Sequence, residues 1–315
     1  MAAWPSGRHV VSIDNTHDVA ITGGGTVDGQ GHVWWRANEK NNTIFRPHMV
    51  DASHVTNLLL ADTVYLNGPN HVLELGADNT EVSGVTVLSP PSTGECAKTD
   101  SCAHNTDAVD VHGEPFYIHH VNFTTGDDNV AVHANGTLVE DSYFGTGHGA
   151  SIGSLCGSWI HNVTFRNITF VGTTTGCRIK SHPGCAGHVW DVTYEQLAMQ
   201  DVATPIGLTQ FYFAPKDPPP STMHFDAIRF VDIDVRGGKT TGPAIDIECD
   251  DHWAKTGNCQ VAFDNVAFHG DAGASGMLCK GLVGTASKLT GISTNGCDIK
   301  AAALAYPNNR SLEQP

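Results

Sequence analysis

A short strand followed by a turn recurs along almost the whole chain, and this repetition limits the possible architecture more than any other feature. The segments DVAITGG (18–24), HVTNLLLAD (54–62), NTEVSGVTVLS (79–89), DAVDVHG (107–113), YIHHVNFTT (117–125) and NVAVHA (129–134) are examples. TLVEDSYF (137–144), ASIGSL (150–155) and NVTFRNITFVG (162–172) continue the series, which runs on to CQVAFDNVAFHG near residue 260. Each run is rich in β-branched residues and is bounded by Gly, Asn, Asp or Ser, the signature of strands joined by tight turns. Similar elements return every 20–30 residues, the period of a solenoid. No helical stretch of convincing length separates them, which excludes βαβ units. The expected fold is all-β: a right-handed parallel β-helix forming one domain over residues 1–315. An antiparallel sandwich or jelly roll is the competing arrangement. The loops 89–104 and 213–222 are long enough to wall a cleft, and the tail after about residue 300 is weakly patterned.

Charge narrows the partners. Lys and Arg number 17 against 33 Asp and Glu, a formal net of −16. Nucleic acid needs a basic surface and is excluded as a partner. No stretch approaches the roughly 20 apolar residues that cross a bilayer, so a soluble chain is expected. The 18 His gain charge as pH falls through about 6.5 and would then offset much of the negative balance. A surface of one sign also keeps a protein soluble, the plainer account of it.

Nine Cys are present, with no CxxC pair that would suggest a zinc ribbon. Closeness in sequence favours disulfides Cys96–Cys102, Cys177–Cys185, Cys249–Cys259 and Cys279–Cys297, leaving Cys156 over. Such pairing belongs to an oxidising compartment, so an extracellular protein is expected. Sequons at Asn41, Asn122, Asn135, Asn162, Asn167 and Asn309 add only weak support. The opening MAAWPSGRHVV lacks the apolar segment of a signal peptide.

Four polar segments fall within one window: Asn105-Thr106-Asp107, Gly126-Asp127-Asp128, Gly147-His148-Gly149 and Arg178-Ile179-Lys180. Singly, each has a plain structural explanation. Asn, Asp and Gly make turns, and alternating Arg178 and Lys180 are what an exposed strand carries. Together they fit less easily, because crowded carboxylates repel unless one is protonated or cations lie near. The first three recur about one coil apart, so a β-helix would stack them into one polar stripe on a single face. Glycoside hydrolysis needs such a set, with one carboxylic acid to protonate the leaving oxygen and one carboxylate to activate water.

The ordered motifs resemble those of the polygalacturonases of glycoside hydrolase family 28. GGGTVDGQGHVWW (23–35), GHGASIGS (147–154) and PIGLTQFY (205–212) extend the likeness, which runs from about residue 18 to about 260. The resemblance implies hydrolysis of polygalacturonan or pectin with inversion, as a secreted monomer without metal or organic cofactor. It implies Asp127 as general acid, Asp107 and Asp128 as the groups that activate water, and His148 as the support of the acid's protonation state. Arg178 and Lys180 would bind the galacturonate carboxylate, and Asn105 and Tyr212 would line the groove. Asn129 stands where the family often has Cys, so one common disulfide is expected to be missing. Rhamnogalacturonan or xylogalacturonan are rival substrates, a calcium-dependent lyase is a rival chemistry, and a non-catalytic polysaccharide-binding module is the non-enzymatic alternative.

Overall fold

The computed structural model describes residues 4–302 apart from 6, 90–102, 239–241, 251–258 and 295. Its strands join through parallel ladders into one continuous stack of coils, a right-handed parallel β-helix. Two kinds of strand alternate along the chain. Long ones such as Val50–Ala61, Leu73–Ser83, Ser158–Val171, Ala186–Gln200 and Thr222–Arg236 wrap two sides of the coil. Short ones, including Val109–Val111, Val130–Val132, Ala150–Leu155 and Thr175–Ser181, make the side that carries the polar motifs.

The long strands exceed the runs expected from the sequence, and the reason is local. Their corners are single residues in the left-handed region, which read as turn boundaries although pairing continues through them. Asp18, Asn57 and Asn79 hold φ of 57°, 60° and 52° at equivalent positions of three successive coils. Asp141, Asn167, Gln196, Asp232 and Asn265 do the same at a second corner. Asn and Asp tolerate this conformation better than other side-chain-bearing residues, and here they also bond to one another. Asn57 Nδ2 donates to Asp18 Oδ1 at 2.7 Å, and Asn79 Nδ2 donates to Asn57 Oδ1 at 2.6 Å. Each corner is thereby tied to the coil next to it.

Inward residues fill the bore as continuous columns. Phe165, Tyr194, Phe230 and Phe263 stack with ring centroids 4.9, 5.5 and 5.4 Å apart, close to the spacing of neighbouring strands. The Tyr194 hydroxyl donates to the carbonyls of Ala150 and Arg178 at 3.3 and 3.2 Å, fastening this column to the strands that carry the motifs. Asn129 is also wholly enclosed. Its amide donates to the carbonyls of Phe123 and Thr146 at 3.0 and 3.2 Å, and its oxygen accepts Gly149 N–H at 2.8 Å. A hydrogen-bonded amide thus ties the coil at the position where no disulfide was expected, Asn129 standing in place of the Cys of the resemblance.

Two expectations are corrected. One α-helix, His32–Lys40, lies between the first strands, where no helix was expected. Trp35 buries against the stack and donates Nε1–H to the Gly68 carbonyl at 3.0 Å. The disulfide Cys177–Cys185 does not form: Cys185 bonds Cys156, and Cys177 is a free, buried thiol. Cys177 points inward from a strand, paired with Ala150 and Ile206 as part of the core. Cys156 and Cys185 occupy turns of adjacent coils with Cα atoms 4.9 Å apart. In a coil, spatial neighbours lie one period away, and nearness in sequence misleads. Cys249–Cys259 and Cys279–Cys297 form as expected, while Cys96 and Cys102 lie outside the described residues.

Replacing Asn129 by Ala would leave the Gly149 N–H unpaired and take one hydrogen bond each from the Phe123 and Thr146 carbonyls, which keep the N–H groups of Gly145 and Thr125. At about 1–3 kcal/mol for one stranded group, a loss of about 2 kcal/mol is expected. Urea unfolding of Asn129→Ala measures it, and a midpoint equal to that of the parent protein would contradict the account.

Candidate active site

The register explains why the motifs meet. Val11, Val50, Leu73, Val109, Val130 and Ala150 are successive partners in one ladder. Two residues ahead of each stands His9, His48, His71, Asp107, Asp128 and His148 in turn. A parallel stack places neighbours about 4.8 Å apart, so six titratable residues line up beside the strands. One strand position further in, Asp51, Glu74, Asp110, Ala131, Ser151 and Arg178 form a parallel row. Strand parity turns Arg178 and Lys180 to this face and Ile179 to the core.

His148 depends on its two glycines. Gly149 has φ of +81°, and a Cβ there would lie 2.1 Å from the Thr175 carbonyl oxygen. Gly147 has φ of +148°, and a Cβ there would meet the Asn129 amide oxygen at 2.5 Å. Both positions exclude a side chain, so the imidazole is carried on a backbone pressed against the next coil.

Asp127 is surrounded by donors. His148 Nδ1 is 3.0 Å from its Oδ1, Asp128 N–H donates to Oδ1 at 2.9 Å, and Asn105 N–H donates to Oδ2 at 2.9 Å. Burial opposes the charged form, but these bonds prevail and hold the Asp127 carboxyl well below the usual range. Burial likewise disfavours charge on His148, and the neighbouring carboxylates overcome it and raise its pKa. The two groups share one proton, held mainly on the imidazole and within one hydrogen bond of the carboxylate.

Asp128 is almost fully buried and meets cations on both oxygens. Lys180 Nζ donates to Oδ2 at 2.6 Å, while Arg178 Nη1 and Ser151 Oγ reach Oδ1 at 3.2 and 2.7 Å. The two cations therefore differ. Lys180 is 5% exposed and committed to Asp128, whereas the Arg178 side chain is partly exposed. Tyr212 stands beside both, its ring centroid 5.4 Å from the Arg178 guanidinium carbon and 5.2 Å from Lys180 Nζ, close enough for cation–π attraction.

Asp107 contrasts with Asp127. Burial, with Asp127 and Asp128 adding to it, pushes its carboxyl up to about 7 against the opposing charges of His71 and Lys180. The structure thus separates three adjacent carboxyl groups into one that holds a proton readily and two tied to cations.

Sequence motifs missed several contributors. Arg46 is buried, donates to the carbonyls of Pro69 and His104 at 3.1 and 2.5 Å, and donates to Asn105 Oδ1 at 2.8 Å. It fixes the turn whose backbone N–H holds Asp127. Ser151 and His71 were missed as well; only the ladder register would have pointed to them. Several His–carboxylate groups, among them His71 with Asp107 and Asp110, bring ligand atoms within 4.8 Å of one another. A reaction without metal would rest on its own chemistry, not on a shortage of donors.

The family model for glycosyl hydrolases family 28 matches residues 1–290. The chain is 34% identical over 223 residues to an endo-polygalacturonase of Pectobacterium carotovorum subsp. carotovorum, covering 64% of this chain and 53% of that protein. It is 30% identical over 275 residues to a probable endopolygalacturonase D of Neosartorya fischeri, covering 82% of this chain and 56% of that one. The chain therefore spans about half the length of the curated relatives it matches. Among solved structures, the polygalacturonase from Erwinia carotovora ssp. carotovora superposes with a TM-score of 0.70 at 26% identity, covering 88% of this chain and 73% of that chain.

The histidines set a pH dependence of stability. Among its carboxylate neighbours, and against burial, His71 is raised to about 10, from about 6.5 in an unfolded chain. Its stabilising contribution is therefore complete below about pH 6.5 and is lost as pH rises toward 10. His148, also raised, acts in the same sense. Calorimetry should find the melting temperature falling steadily between about pH 6.5 and 10; a flat profile there would contradict these charge states.

Proposed function

The chain belongs to glycosyl hydrolases family 28, and from that premise we propose that it hydrolyses the α-1,4-galacturonosidic bonds of polygalacturonan, with inversion. One observation carries the reading: three carboxyl groups, a histidine and a cationic pair converge on one face of the coil. Asp127 is the general acid. The proton shared with His148 passes through Asp127 to the glycosidic oxygen as the C–O bond breaks, so the pair works as one acid. A water molecule attacks C1 from the opposite face and loses its proton to the Asp107–Asp128 side. Arg178 takes the carboxylate of the sugar at the cleavage point, a bidentate pairing suited to a guanidinium. Lys180 holds Asp128 and adds positive charge beneath that sugar. Tyr212 limits the groove on the Arg178 side, and Asn105 lines it while supporting Asp127 through its backbone.

The described coils form one stack, which supports a single domain. No described helix is long and apolar enough to cross a membrane, and three disulfides among the described residues favour an extracellular setting. We read the protein as acting there as a monomer on pectin.

The test is release of reducing ends from polygalacturonic acid at mildly acidic pH with a chelator present. Metal-independent release is expected; monomer alone marks cleavage from chain ends, and a ladder of oligomers marks internal cleavage. An unsaturated product lost on chelation would instead indicate a lyase. Asp127→Asn is expected to lower kcat by about 100- to 10,000-fold, the range of general acid–base catalysis, with the native fold retained. Retention of full turnover by Asp127→Asn would remove Asp127 from the mechanism.

A further inference from the structure

His71 stands directly behind the water-activating carboxylate. Asp107 Oδ1 and Asp110 Oδ2 are both buried and have no hydrogen-bond partner, an arrangement that is costly for a carboxylate. Between them lies one imidazole. His71 Nε2 is 3.6 Å from Asp107 Oδ1, and its Nδ1 is 3.2 Å from Asp110 Oδ2 and 2.6 Å from Glu74 Oε2. Both ring nitrogens therefore face carboxylate oxygens, and a neutral ring could donate only to one side.

We propose that His71 is a positioning residue: an imidazolium wedged between Asp107 and Asp110 that fixes the orientation of Asp107 and eases its conversion to the charged form that activates water. The inference rests on the hydrolase reading above, which assigns that task to Asp107.

The charges around the ring come from every coil that packs on it. Glu74 lies on its own strand and Asp107 and Asp110 on the next coil, while the preceding coil offers His48, stacked at 5.1 Å with an interplanar angle of 11°. His48 adds no competing positive charge at neutral pH: burial is the largest influence on it, and its pKa falls to about 4. Asp51 lies beyond it, 3.1 Å from His48 Nδ1. His133, 3.9 Å from Asp110 Oδ1, is likewise pushed down to about 4, first by burial. His112 bonds the other Glu74 oxygen at 2.8 Å. Asp107 itself also faces Asp127, Asp128, Lys180 and Arg46. Of all these, His71 is the largest influence opposing the burial of Asp107. Lys180 is already paired with Asp128, and Arg46 is spent on Asn105 and two carbonyls. His71 is the cation left to serve Asp107.

A base must be deprotonated to work, so the acid limb of the pH profile of kcat/KM reports it. His71→Gln removes the charge and keeps a hydrogen-bonding side chain. An opposite charge at this range lowers a carboxyl pKa by about 1–3 units, so the variant's acid limb should move up by about 1–3 pH units. His71→Lys, which restores a cation, should return the limb toward the parent position. A merely structural role would lower turnover at all pH values without moving the limb, and that result would overturn the proposal. A second measurement is independent of turnover and of the variants' folding. The ring nitrogens of His71 in the unmodified protein, followed by NMR through a pH titration, should both remain protonated at pH 8. A ring neutral at that pH would overturn the proposal even in an active enzyme. If the unmodified protein releases no reducing ends from any pectin backbone, the hydrolase reading fails instead, and the ring titration alone still decides the charge on His71.

Discussion

The in-register stacking of one coil on the next is the constraint on which everything else depends. Each residue of a short strand is held about 4.8 Å from its counterpart above and below, so any residue type recurring at the coil period becomes a column. Apolar recurrence makes the bore, seen in the chain Phe165, Tyr194, Phe230 and Phe263. Asx recurrence makes the corners, where Asp18, Asn57 and Asn79 bond one another while supplying the left-handed turn. Polar recurrence beside the short strands makes the site, from His9 through Asp107 and Asp128 to His148. The geometry of the candidate site is thus a consequence of the repeat.

That same stacking creates the electrostatic difficulty the site has to solve. Carboxyl groups one coil apart, buried and near one another, cannot all be charged without compensation. The molecule answers differently for each. Asp128 receives Lys180 and Arg178. Asp127 receives two backbone N–H groups and His148. Asp107 receives no hydrogen bond at Oδ1 and keeps the highest proton affinity of the two whose shifts are distinct. Environments that push neighbouring titratable groups apart are how acid and base tasks are divided within one site.

Much of this was legible in the sequence, and the limits have physical causes. The solenoid followed from the period, and the inward aim of Ile179 between Arg178 and Lys180 followed from strand parity. The convergence of Asp107, Asp127, Asp128 and His148 followed from motif spacing. What stayed hidden depends on register between coils separated by loops of unequal length. Arg46 supports Asn105 from a coil that no motif marks. His71 faces Asp107 only because Leu73 pairs with Val109, far along the chain from it. The bond Cys156–Cys185 joins equivalent turns of adjacent coils, while the closer pairing in sequence would have required Cys177 to leave the core. The helix His32–Lys40 escaped because its nine residues carry too little periodicity to register beside strong strand signals.

Local charge also resolves an apparent conflict between the acidic chain and the polyanionic substrate proposed for it. A net of −16 describes the whole surface, whereas a bound uronate experiences the field where it sits. Around the motif face, Arg178, Lys180, Arg46 and the raised imidazoles of His71 and His148 gather on a few adjacent coils. Most of these cations are engaged by the site's own carboxylates, which leaves Arg178 the most available for an incoming one. An acidic polymer would thus be repelled by most of the molecule and accepted along this face. The surrounding negative surface would then guide the chain into register over the acid–base pair, because any other placement brings like charges together.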